Sequence, residues 1–159
     1  MTAAPGTADP VPPVEPGSIV VGHDGSRGAD QALAQALVLA RALNAPVVVV
    51  RAWSLVTAPR PADWEFGYVP AFEEYSEAVR LALAEDARAP LRAFSEVPVE
   101  YRVVHAGASA SLIEISQDAQ MLVVGARGLG GLAGMLLGSV SEQCVRHAAC
   151  PVLVTRSHD

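Results

Sequence analysis

Between Met121 and Ser141 the chain reads MLVVGARGLGGLAGMLLGSVS, and its residue types suit one kind of chemistry, the holding of an anion by backbone amides. Glycines fall at 125, 128, 130, 131, 134 and 138, where the lack of a Cβ lets a ligand approach the main chain. Ser139 and Ser141 follow where a helix is expected to begin, and the free N–H groups of a helix N-terminus favour phosphates. Arg127 stands between the first two glycines. Its guanidinium either adds positive charge near a phosphate or is a solvated loop arginine. Asp24, in SIVVGHDGS, lies just past an apolar run, as either a ligand-facing carboxylate or a turn-former. His23 beside it has no carboxylate partner visible in the sequence, so it is not read as a general base.

Composition removes several alternatives. All 11 basic residues are arginine, which excludes Schiff-base chemistry and the lysine of the Walker loop. A net charge of −6 with no basic stripe argues against nucleic acid as a partner. No apolar run reaches the length of a membrane span, and the N-terminus lacks the pattern of a secretory signal, so a cytoplasmic protein is expected. Cys144 and Cys150 are read as two thiols in a reducing compartment rather than a disulfide. His105 and His147 share no ligand spacing with them, so no metal site is expected.

The elements that would position these residues follow from hydrophobic period. Short apolar runs at 18–22, 46–53, 97–104, 121–124 and 151–155 read as strands. Helical spacing occupies 28–44, 73–95, 109–118 and 139–148, with Pro90 expected to kink the second helix. Residues 54–74 read as a long loop, its Trp64, Phe66 and Tyr68 pinning it to the core together with Trp53. Glu73, Glu74 and Glu77 read as a solvated face near a helix start. Strands alternating with helices predict a five-stranded parallel, doubly wound (Rossmann-like) sheet with helices on both faces, the last strand at an edge. Such a sheet binds ligands beyond the strand carboxyl ends, where strand order reverses. The proline-rich residues 1–17 are expected to be a disordered tail, 18–156 a single domain and 157–159 a short C-terminal tail.

Spacing separates three phosphate motifs. The Walker loop fails for want of lysine. A dinucleotide fingerprint finds Gly128, Gly130 and Ala133, but the helix begins too late and no acid stands at the right distance. The third spacing is Gly125, two residues, Gly128, nine residues, Gly138 and Ser139. With IVVGHDGS at the first strand and HAACPVLVTR at the end, it closely resembles the ATP-binding branch of the universal stress proteins, over nearly all of 18–156.

That resemblance implies that Gly125, Gly128, Gly138 and Ser139 hold phosphates and ribose, with Val140 and Ser141 adding backbone and hydroxyl contacts. Asp24 and Ala52 would meet the base end. It further implies an ATP-binding stress-response module whose Mg²⁺ is held mainly by the phosphates, and a homodimer joined through Val152 to Thr155. At most weak ATP hydrolysis is expected. A slow ATPase or nucleotidyl transferase, or a nucleotide-free dimerisation module, are the alternatives on the same scaffold. One departure is HAGASAS at 105–111, where the family often has a proline.

Overall fold

A computed structural model of the chain describes residues 10–54, 57–59, 71–130 and 134–157. Trp64, Phe66, Tyr68, Gly131 and Ala133, and residues 1–9, lie outside the described residues. The elements alternate as β1 (Ile19–Gly22), α1 (Arg27–Leu43), β2 (Val47–Ala52), α2 (Phe72–Leu91), β3 (Val99–Val104), α3 (Ala108–Ile115), β4 (Met121–Gly125), α4 (Ser139–His147) and β5 (Val152–Thr155). All five strands pair in parallel, in the order β3-β2-β1-β4-β5. The expected doubly wound sheet is therefore present, with β5 at an edge. Order reverses between β1 and β4, so the loops after these two strands diverge there and leave a crevice.

Alternate residues of each buried strand serve opposite cores. Ile19, Val21, Val47, Val49 and Val123 pack with Leu33, Leu37 and Leu83 of α1 and α2. Val20, Val48, Val50, Leu122 and Val124 pack with Leu112, Ile115 and Cys144 of α3 and α4. That two-sided burial explains why the strands are continuous valine runs rather than alternating ones. α1 is closed at its start by Ser26, whose hydroxyl accepts from the Ala29 amide at 3.1 Å. It ends at Asn44 in the left-handed conformation, φ 51°.

One expectation changes. α2 does not continue kinked to residue 95 but stops at Leu91, one residue past Pro90. The proline in the last turn lacks the N–H that would bond back, so the chain turns, with the Phe94 amide donating to Leu91 O. Residues of the proline-rich segment from 10 on pack against the domain. Val11 and Val14 are buried in the core shared with α3 and α4, and Arg102 of β3 donates to the Pro12 carbonyl. Its prolines preclude helix but suit an extended strap, and the strap adds two buried valines to that core. Cys144 and Cys150 are free thiols. Among the described residues no helix is long and apolar enough to cross a membrane.

Candidate functional site

The crevice at the β1–β4 switch is a cavity of about 420 Å³. Its floor is set by strand register. Gly22 lies level with Val50, and Val21 with Val123, so the carboxyl ends of β1, β2 and β4 finish together. All nine residues singled out in the sequence line this one cavity: Asp24 and Ala52 from the ends of β1 and β2, Gly125, Arg127 and Gly128 from the turn after β4, and Gly138, Ser139, Val140 and Ser141 from the start of α4. Gly130, a member of the dinucleotide-like triplet, lines it too, as do Val50, Leu112 and Val124, which make an apolar wall.

The start of α4 is open. Its N-cap is Gly138, and no side chain caps the helix, so the amides of its first turn are left to solvent or to a ligand. Gly138 has φ −78° and ψ 170°, almost the conformation of the α1 cap Ser26 at φ −79° and ψ 162°. The two caps differ in that Ser26 carries a side-chain hydroxyl and Gly138 has no side chain. The α1 terminus is consequently closed and the α4 terminus free to bind an anion.

Several residues hold the loops rather than reach into the cavity. The Ser141 hydroxyl is buried and donates to the Ala126 carbonyl at 2.7 Å, with Gly138 O at 3.0 Å. Its single proton is thus used on the loop, and what it offers a ligand is its amide and remaining lone pairs. The Gly138 amide also donates to Ala126 O, at 2.6 Å. A Cβ on Gly125 would come within 3.0 Å of the Gly28 backbone. The turn after β4 therefore sits directly on the first turn of α1.

Asp24 ties the two loops together. Its Oδ1 accepts from the Ser26 amide at 3.0 Å and its Oδ2 from the Leu129 amide at 3.0 Å. Burial alone would raise its pKa, but hydrogen bonds from Ser26 and Leu129 outweigh that and hold it below the usual carboxylate range. The aspartate is both turn-former and cross-loop tie, with lone pairs left for a ligand. A Cβ on Gly128 would overlap Asp24 Oδ2, so any larger residue there has to push the carboxylate aside. Arg127 is exposed, and its side chain has no polar partner among the described residues.

What sequence reading missed is the charged support under the cavity. His23, only 2 % exposed, does have a carboxylate partner, since its Nε2 lies 2.9 Å from Asp30 Oδ1. On its other side Nδ1 accepts from the Gly25 amide at 3.1 Å and lies 2.9 Å from an Arg51 terminal nitrogen. Arg51 also donates to His23 O at 3.0 Å and to Asp86 Oδ2 at 2.8 Å. The signal available in the sequence was Arg51 itself, a charge breaking a buried valine run, which demands an acidic partner. Asp86 lies 35 residues away and could not be chosen by spacing. Trp53 packs against Phe72, Tyr75 and His105, with ring centroids 4.7 to 6.4 Å apart. That cluster accounts for Trp53 and His105 as core-side residues. Among the described residues no group of three or more His, Cys, Asp or Glu could hold a metal ion.

The model of the universal stress protein family matches residues 17–156. A universal stress protein of Thermus aquaticus is 37% identical over 142 residues, covering 87% of this chain and 98% of that one. A universal stress protein of Mycobacterium tuberculosis is 36% identical over 146 residues, which is 92% of this chain. The chain spans about half the length of that mycobacterial relative, 48%. Among solved structures, a universal stress protein in complex with cAMP is 26% identical with a TM-score of 0.65, covering 91% of this chain and all of that one. UspA of Lactobacillus plantarum shares the fold at 20% identity and a TM-score of 0.66, covering 90% of this chain and 99% of that one.

Proposed function

This chain belongs to the universal stress protein family, and from that premise we propose that its cavity is an adenine-nucleotide site that takes ATP. The observation that carries the proposal is the uncapped α4 N-terminus, which with its glycine turns borders an apolar-walled cavity at the strand-order switch. Phosphates would take the free amides of Ser139, Val140 and Ser141, with Gly125 and Gly128 allowing close approach and Arg127 adding charge. Asp24 and Ala52 would meet the base end, beside the apolar wall of Val50 and Val124. The related structure bound to cAMP supports an adenine nucleotide as the ligand class. Mg²⁺ would ride on the phosphates, which supply most of its oxygen ligands.

The protein then acts as a nucleotide-dependent regulatory module in the cytoplasm rather than as a fast hydrolase. His23 and Asp24, the titratable groups in the wall, are both committed to hydrogen bonds within the loops, which suits binding better than proton transfer. The half-buried edge strand Val152–Thr155 is the surface through which two copies would pair, since an edge strand needs cover. Calorimetry with ATP, ADP, AMP and cAMP tests the site. Saturable binding of at least one supports the reading, and no heat with any of them overturns it. Phosphate release above that of a Gly138→Asp control would convert the module into an ATPase.

A further inference from the structure

His23, in the cavity wall after β1, is joined by a row of hydrogen bonds to Asp30 on α1, Arg51 on β2 and, through Arg51, Asp86 on α2, and Asp24 follows it in the same turn. Arg127, on the turn after β4, is the further charge lining the cavity. Hydrogen-bond chemistry assigns the protons in this row. A guanidinium and a backbone amide can only donate. Nδ1 of His23, which faces both Arg51 and the Gly25 amide, must therefore be the unprotonated acceptor. The ring proton sits on Nε2 and is donated to Asp30. The imidazole is neutral, with its side chain fully buried, and the next turn of the chain is built on that one tautomer.

A proton added at Nδ1 would set three donors against one another. The Gly25 amide would lose its acceptor, and the Arg51 guanidinium would face a second cation 2.9 Å away. Gly25 stands in the left-handed region at φ +90°, between Asp24, which holds the Leu129 amide of the glycine loop, and Ser26, which caps α1. Loss of the Gly25 bond is thus delivered to both sides of the cavity. We infer that His23 is a proton-sensitive positioning residue of the nucleotide site: its neutral form holds the β1–α1 turn in the binding geometry, and its protonation weakens nucleotide affinity.

The surroundings set the balance. Burial is the largest influence and pushes the His23 pKa down; the Asp30 hydrogen bond pulls it up, Arg51 pushes it down, and the charges of Asp30 and Asp86 pull it up, with a net lowering. This role for His23 rests on the cavity being a nucleotide site. If only the neutral form binds, affinity falls tenfold for each pH unit below the pKa of His23.

The test measures ATP affinity by calorimetry between pH 8 and pH 5 on the full chain and on three variants, beside an imidazole NMR titration of His23 without nucleotide. His23→Asn keeps an acceptor for Gly25 but cannot titrate, so it corrects for protonation of ATP itself. After that correction the parent protein is expected to lose affinity with a slope approaching one per pH unit, at the midpoint seen by NMR. Asp30→Asn should move both midpoints to lower pH and Arg51→Met should move both to higher pH. A merely structural role for these residues would not produce opposite shifts. If ATP binds but its corrected affinity is flat while His23 titrates, or if His23 stays neutral to pH 5, the inference fails and the nucleotide site stands. If ATP binds at no pH, both fall.

Discussion

Gly138→Asp should make the protein more stable and a worse nucleotide binder at the same time. The two caps Gly138 and Ser26 share φ and ψ within 8°, so a short polar side chain at 138 is already in capping geometry. A Cβ there meets its nearest neighbours, Ala126 O and Arg127 Cα, at 3.5 Å, which is ordinary contact. By analogy with Ser26 and Ala29, the new carboxylate would accept from the Ser141 amide. Asp exceeds Gly as a cap by a few tenths of a kcal/mol, and its charge at the positive helix end adds about 0.3–1 kcal/mol. Together these give roughly 0.5–1 kcal/mol. In a chain of this size that is a rise in Tm of about 1–4 °C, measured by circular dichroism without nucleotide. The carboxylate also occupies a donor a phosphate would use. One charge-assisted hydrogen bond is worth about 1.5–3 kcal/mol, so ATP affinity by calorimetry should fall at least about tenfold. A variant that is less stable, or that binds ATP as tightly as the parent, refutes the assignment of α4 as an open anion site.

Three further outcomes are expected from the same geometry. Gly128→Ala should cost about 1.5–3 kcal/mol in urea denaturation, because the added methyl displaces Asp24 from the Leu129 amide. In an Asp24→Ala background the same change should cost at least about 1 kcal/mol less, and additivity of the two would show that the overlap is not the cause. His23 is pushed below its ordinary 6.5 chiefly by burial, so below pH 6.5 the unfolded state binds more protons than the folded one. Its contribution to stability is complete above that pH and is lost as pH falls toward the folded-state pKa. Denaturation series at pH 8, 6.5 and 5.5 should show this decline, and His23→Asn should flatten it. Val14→Asp should destabilise by about 2 kcal/mol or more, since it puts an unpaired carboxylate into the buried cluster that includes Val48 and Val104. An unchanged denaturation midpoint would mean that the strap at 10–17 is not part of the domain in solution.

Most of the architecture is legible in the chain because it is periodic. Runs such as SIVVG and PVVVV mark strands buried on both faces, and Asn44 marks the end of α1 by cap chemistry that acts over three or four residues, whereas the Ser26 cap emerged only in the structure. Pro90 reads as a kink in the sequence because its missing donor is a local fact, whereas the helix stop one residue later depends on how the chain packs as it turns toward β3. The strap reads as disordered for a comparable reason. Two valines among prolines cannot offset ordering entropy by themselves, and only the sheet that they pack on changes the balance.

The glycine spacing from Gly125 to Ser139 is visible in the sequence because it lies along one short segment. What only the tertiary structure decided is what touches across segments. Asp24 holds Leu129, 105 residues on; Gly28 abuts Gly125; His23 is clasped by Asp30 and by an Arg51 that Asp86 steadies. Hydrogen bonds between loops depend on register and strand order, and neither leaves a period in the sequence. The chain by itself determined where an anion could be held; the fold decided which proton, carboxylate and guanidinium hold the loops that would hold it.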